Sequence, residues 1–164
     1  AARAPERAGA LGMIGTAYPM KGSAALLNTA RDAPLEAIDM VNAFSHSTHA
    51  AKPSFPGPGM CLHGSNRALM RRMQNGQPGL NLFHHDFGVC DRYARGLDAA
   101  PAVGCPATFI LGERDQMTSP RQSSELAKAL NARVLTVPAG HSMMAEAPDA
   151  VLGALRTALQ ATSS

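Results

Sequence analysis

Three short apolar stretches along the chain predict buried β-strands, at residues 10–15, 107–111 and 133–137. Their apolar side chains run almost continuously instead of alternating with polar ones, which is typical of strands covered on both faces. A stretch with an apolar helical face follows each of the last two strands, one starting at Ser119-Pro120 and one at Pro148. Alternation of strand and helix predicts parallel pairing and an α/β fold.

The pattern changes between the first and second predicted strands. Helical periodicity covers residues 23–31, 35–44 and 65–73, a loop rich in proline and glycine covers 53–59, and irregular chain is expected up to about residue 100. We therefore expect a core strand with its flanks at 1–19, an inserted helical segment at 20–100 and further core at 101–164. Residues 1–8 are expected to be the end of a helix terminated by Pro5. Because three strands are few for such a sheet, we expect the first half of a larger domain upstream of Ala1.

Composition and charge exclude several classes of function. The formal net charge of +3 is dispersed over the 164 residues, with Arg71-Arg72 the densest site, so binding to nucleic acid is not expected. No apolar run approaches the roughly 20 residues that cross a bilayer, so no membrane partner is expected. Three cysteines at these spacings match neither a zinc ribbon nor a disulfide scaffold, which favours a reducing, cytoplasmic location.

The candidate chemistry lies where two of the predicted strands end. Asp115 follows the strand at 107–111, and His141 follows the strand at 133–137 after a glycine. Reactive groups of open α/β sheets collect at the carboxyl ends of the strands, so these two side chains are expected at one edge of the sheet. An aspartate that accepts from one imidazole nitrogen leaves the other nitrogen free to exchange a proton with a serine.

Three segments carry a resemblance to a known family: Cys-Pro-Ala-Thr-Phe-Ile-Leu-Gly-Glu-Arg-Asp at 105–115, Met-Thr-Ser-Pro at 117–120 and Pro-Ala-Gly-His-Ser-Met-Met-Ala-Glu-Ala-Pro at 138–148. They resemble the C-terminal half of the α/β-hydrolase superfamily, and residues 11–16 resemble the strand that follows its nucleophile helix. The resemblance implies an α/β fold with a partial doubly wound parallel sheet of about three strands and an inserted helical cap. It also implies that Asp115 is the acid and His141 the histidine of a catalytic triad.

The activity that this resemblance implies is serine-type hydrolysis, through an acyl-enzyme, of an ester or related small apolar carbonyl substrate, with no cofactor. The G-x-S-x-G sequence of the nucleophile turn is absent from these residues, so the serine is expected upstream and the chain alone is expected to be inactive. Esterase, C–C hydrolase, haloperoxidase-like and dehalogenase subtypes all stay open. The alternative is a non-catalytic remnant of a hydrolase that acts as a binding or interaction module.

The helical segment supplies candidates for a substrate pocket. Methionine and phenylalanine are concentrated there, and thioethers both fill cores and line adaptable pockets. We expect most of these side chains to pack in the core, and we expect Met20, Phe44 and Met70 to line the pocket.

Other motifs are assigned less specific roles. Gly140-His141-Ser142-Met143 is similar to the start of a nucleophile elbow, but Met144 replaces the glycine and Pro148 follows too soon for a long helix. The histidine pairs 46/49 and 84/85 lack further ligands at suitable spacing, so no metal is expected. Glu146 is expected to interact with the N-terminus of the last helix.

Overall fold

The computed structural model describes residues 1–160, and its centre is a sheet of three parallel strands. The strands are β1 (Leu11–Ile14), β2 (Ala107–Gly112) and β3 (Arg133–Val137), in the order β1-β2-β3. Ile14 is in register with Ile110, which is in turn in register with Leu135. The three predicted strands and their parallel pairing are confirmed, and their carboxyl ends therefore lie at one edge of the sheet.

The described part of the chain has eight α-helices around this sheet. They are α1 (Ala24–Asp32), α2 (Pro34–Phe44), α3 (Leu62–Asn75), α4 (Leu82–Arg92), α5 (Gly96–Ala99), α6 (Pro120–Ala129), α7 (Met143–Glu146) and α8 (Pro148–Gln160). Single turns of 3-10 helix lie at Pro5–Arg7 and Ala100–Ala102.

Both faces of the central strand are covered by helices. Every residue of β2 is buried, and its successive side chains point to opposite faces. Phe109 and Leu111 pack in one cluster with Leu126 of α6, whereas Ile110 packs in another with Val151 of α8. The fold is thus α/β, with a partial doubly wound parallel sheet. Burial of apolar side chains on both faces at about 25 cal/mol per Å² is the main stabilising term.

The segment between β1 and β2 is helical and has its own polar contacts. Helix α2 packs against α1 and α3, and α4 packs against α1. The buried Asn42 side chain donates to the carbonyl of His63 at 3.0 Å and accepts from Asn66 at 2.9 Å. These bonds hold α2 against α3, because separating the two helices would leave the buried Asn42 amide unpaired at a cost of about 1–3 kcal/mol.

Several sequence-based expectations are wrong in detail. Helix α4 forms where irregular chain was expected, and Pro5 starts a 3-10 turn at the N-terminus instead of ending a helix. The outer strands are not covered on both faces, since Ile14 in β1 is 37% and Val134 in β3 is 48% exposed. A three-stranded sheet has two edges, so only its middle strand is enclosed completely.

None of the helices within residues 1–160 has both the length and the apolar character needed to span a membrane.

Candidate functional site

Asp115 and His141 meet at the carboxyl edge of the sheet. Asp115 follows the end of β2 and His141 follows the end of β3, and parallel pairing brings the two loops together. Oδ2 of Asp115 lies 2.9 Å from Nδ1 of His141. The aspartate side chain is fully buried, whereas the histidine side chain is 32% exposed. This geometry is that of a partly exposed imidazole oriented by a buried carboxylate.

The Asp115 carboxylate is surrounded by hydrogen-bond donors. Oδ1 accepts from the backbone N–H groups of Met117 and Thr118, both at 2.8 Å, and Oδ2 lies 2.8 Å from the Thr118 hydroxyl. Burial by itself raises the pKa of Asp115, but the hydrogen bonds from His141 and Thr118 outweigh burial, so that the pKa lies below its ordinary value. Asp115 is therefore a carboxylate at neutral pH.

Glycine makes the close approach of these two loops possible. A Cβ atom on Gly112, the last residue of β2, would overlap the carbonyl oxygen of Gly140, and a Cβ atom on Gly140 would lie 2.6 Å from the backbone nitrogen of Ser47. The Arg114 N–H donates to the carbonyl of Ala139 at 3.0 Å, which fastens the Asp115 loop to the His141 loop. A side chain at Gly112 would push the two loops apart, and a side chain at Gly140 would push the histidine loop away from Ser47.

The first strand also contributes to the site. Gly15 follows β1 with φ of +57°, a conformation that favours glycine, and a Cβ atom there would lie 3.6 Å from Nδ1 of His141 and 3.3 Å from Cε of Met143. The Gly15 carbonyl lies 2.8 Å from the Thr118 hydroxyl. Loops from all three strands therefore converge on the imidazole.

Glu146 has a role that differs from the expected one. Its Oε2 accepts from the Gly140 N–H at 3.0 Å, and its carboxylate oxygens lie 3.2 and 3.3 Å from the Ser47 nitrogen. The Ser142 N–H donates to the Ser45 carbonyl at 2.8 Å alongside. Glu146 thus bridges the histidine loop and the end of α2, and the expectation that it serves the N-terminus of α8 is wrong.

A cavity of about 610 Å³ opens beside His141. Its wall is mainly apolar and rich in sulfur, with Met20, Met40, Cys90, Met117, Met143 and Met144 among the lining residues. Two of the three residues expected in a substrate pocket, Met20 and Phe44, line this cavity, whereas Met70 on α3 does not. Phe44 is 53% exposed. Met40, Met60 and Met73 are exposed too, so the expectation that most methionines of this segment pack in the core is wrong for these three.

The other candidate motifs are distributed as follows. Ser142 precedes only the four-residue helix α7, so the long helix of a nucleophile elbow does not follow it. His46 is buried, with its ring centroid 5.9 Å from that of His63 and the two rings tilted by 47°, while His85 pairs with Asp86 on the surface. In the described residues, no three or more His, Cys, Asp or Glu side chains are grouped so that they could hold a metal ion.

No family model and no curated protein matches this sequence. Solved structures do match its fold. A thermophilic esterase matches 98% of the chain with a TM-score of 0.76 and 22% identity, and the enol-lactonase from Burkholderia xenovorans LB400 matches 98% with a TM-score of 0.79 and 22% identity. The α/β hydrolase MGS-M2 from a Medee basin deep-sea metagenome matches 85% with a TM-score of 0.52 and 17% identity and is itself covered over 52% of its length.

The shared feature of these structures is the α/β-hydrolase fold, and this chain has part of that fold. It spans 59% of the length of both the esterase and the enol-lactonase. The fold class implied by the sequence is confirmed.

Proposed function

We propose that this chain provides the acid and the histidine of a serine-type α/β hydrolase that acts on small, apolar ester-like substrates through an acyl-enzyme. The observation that carries the proposal is the 2.9 Å contact between the buried carboxylate of Asp115 and Nδ1 of His141, beside a mainly apolar cavity. The esterase and enol-lactonase with similar folds support a hydrolase.

In this mechanism the nucleophile is a serine from outside the 164 residues. His141 Nε2 takes the proton of the serine hydroxyl as the serine oxygen bonds to the carbonyl carbon, and returns it to the leaving alcohol as the ester C–O bond breaks. Water then attacks the acyl-enzyme by the same proton transfer, and the acid is released. Asp115 keeps the Nδ1 proton in place and stabilises the imidazolium, without taking that proton itself.

The cavity supports an apolar substrate of modest size. Thioether side chains adapt to ligands of different shape, and a mainly apolar wall disfavours a charged acyl group. Residues 20–100 would then act as a cap over the site, with residues 1–19 and 101–164 as the core. The three cysteines are free, which supports a cytoplasmic location.

The test is hydrolysis of p-nitrophenyl butyrate by a polypeptide that continues the same reading frame upstream of the Ala1 codon. His141→Ala is expected to lower kcat/KM by about 10³- to 10⁶-fold with folding retained, because it removes the base and the acid together. His85→Ala, which changes an exposed histidine, is the matched control and is expected to leave turnover unchanged. Full turnover in His141→Ala would contradict the proposal.

The alternative function is binding without hydrolysis. Apolar side chains exposed around the cavity, such as Ile14, Phe44 and Met144, favour it. The coding sequence upstream of the Ala1 codon distinguishes hydrolysis from binding alone. A G-x-S-x-G sequence encoded directly upstream of Ala1 supports the enzyme, and a start codon at that position supports the binding module.

A further inference from the structure

We propose that Thr118 is a positioning residue of this site, whose hydroxyl donates to Oδ2 of Asp115 and thereby fixes the carboxylate that orients His141. The inference deepens the proposed function, because it concerns the same Asp115–His141 pair. In the sequence, Thr118 stands three residues after the aspartate, within the Met-Thr-Ser-Pro segment that contributes to the family resemblance, and that resemblance assigns it no role.

The Thr118 hydroxyl is at the meeting point of three groups. Its Oγ1 lies 2.8 Å from Oδ2 of Asp115, 2.8 Å from the carbonyl oxygen of Gly15 and 3.1 Å from Nδ1 of His141. A hydroxyl has a single proton to donate, so it can serve only one of the two oxygens. The choice between these oxygens decides what Thr118 does.

Charge favours donation to the aspartate. A hydrogen bond to a carboxylate is about twice as strong as one to a neutral carbonyl. If the Thr118 hydroxyl donated to the Gly15 carbonyl instead, a lone pair of Oγ1 would face the Asp115 carboxylate at 2.8 Å. Because the aspartate side chain is fully buried, water could not screen the resulting repulsion. The Thr118 hydroxyl is therefore the fourth donor to this carboxylate, in addition to two backbone N–H groups and the His141 ring.

The same arrangement fixes the tautomer of His141. With the Thr118 proton on the aspartate, both oxygens nearest to Nδ1 present lone pairs to it, at 2.9 Å from Asp115 and 3.1 Å from Thr118. The lone pair of an unprotonated Nδ1 would repel the lone pairs of both oxygens. Nδ1 therefore carries the proton, and Nε2 is left as the acceptor. That is the tautomer a general base needs.

The experiment follows the Asp115 carboxyl carbon by ¹³C NMR during a pH titration of the 164-residue chain. Thr118→Val removes the donor and is expected to raise the pKa of Asp115 above that of the unmodified chain, because a bond that favours the charged form is lost. Thr118→Ser keeps the hydroxyl and is expected to leave the titration unchanged. Thr118→Ala replaces the valine variant if that variant does not fold, with the same upward shift expected.

The sign of the shift decides the question. If the hydroxyl instead donates to Gly15, Thr118 merely ties β1 to the loop, and its removal takes a lone pair away from Asp115. The pKa of Asp115 would then stay the same or fall, and either result would overturn the proposal. The titration involves no substrate, so a failure of hydrolysis in the longer polypeptide would count against the proposed function but not against the role of Thr118.

Discussion

At the scale of single residues, the site depends on keeping one carboxylate charged inside the protein. Removing a carboxylate from water is costly, and an isolated one would become protonated. Asp115 avoids this because backbone N–H groups, the Thr118 hydroxyl and the His141 ring all face its two oxygens. Its negative charge at neutral pH is thus a property of the loop that follows β2 as well as of the histidine.

The lowered pKa of Asp115 predicts how stability depends on pH. The unfolded chain binds this proton more readily, so the stabilisation is complete above the ordinary aspartate pKa of about 3.9 and is lost as the pH falls through the lower folded pKa. Asp115→Asn is expected to be less stable at pH 7 by about 1–3 kcal/mol and to lose less stability on acidification. Urea unfolding at several pH values from 3 to 7 measures both effects.

The control for this prediction is Asp32→Asn. The hydrogen bond from Arg31 lowers the pKa of Asp32 as well, but that pair is exposed to solvent, where ion pairs contribute little. An equal loss of stability in the two variants at pH 7 would show that burial of Asp115 is not what makes its charge important.

Asp115 and His141 are identifiable from sequence because each follows an apolar strand at a characteristic turn, and parallel strands present their ends at one edge. Thr118 and Glu146 are not identifiable in this way. The Thr118 hydroxyl contacts Gly15, 103 positions away, and the Glu146 carboxylate contacts Ser47, 99 positions away. The first bond depends on how the loops after β1 and β2 meet, and the second depends on how the helical segment packs. Local sequence pattern encodes neither.

At the scale of elements, periodicity identifies the strands well and α4 poorly. Strand β2 is apolar throughout because it is central, and its burial is complete. Helix α4 contains Gly88, two adjacent histidines and Val89, all weak helix formers, so its sequence does not predict a helix. Its start depends instead on Asn81, which accepts from the His84 N–H at 3.1 Å and donates to the carbonyl of Ala30 on α1 at 2.7 Å.

Asn81→Ala is therefore expected to destabilise the protein more than removal of an ordinary helix cap. Loss of an N-cap side chain costs about 1 kcal/mol, and this variant also leaves the C-terminal carbonyls of α1 without their amide donor. The matched control is Ser23→Ala, in which the lost side chain caps only its own helix α1 by accepting from the Leu26 N–H. Urea denaturation of both variants tests this, and a Ser23→Ala effect as large as that of Asn81→Ala would contradict it.

At the scale of the whole molecule, the helical segment and the sheet are joined next to the histidine. Glu146 accepts from Gly140 in the histidine loop and from Ser47 beyond α2, and the Ser142 N–H donates to Ser45 in the same place. The residue before Ser45 is Phe44, which lines the cavity. The position of the cavity wall and the position of the imidazole are consequently set by the same few hydrogen bonds.

Removing the Glu146 carboxylate should loosen both sides of this junction together. Glu146→Ala leaves the N–H groups of Gly140 and Ser47 without their acceptor, at a cost of about 1–3 kcal/mol. Native-state hydrogen exchange is expected to become faster at these two amides, while amides in the centre of β2 keep their protection relative to global unfolding. Glu113→Ala, at an exposed glutamate whose carboxylate accepts a 3.5 Å bond from the Thr136 hydroxyl, should change neither amide. Faster exchange at Gly140 with no change at Ser47 would mean that the carboxylate serves the histidine loop alone, and that the helical segment is held against the sheet by its other contacts.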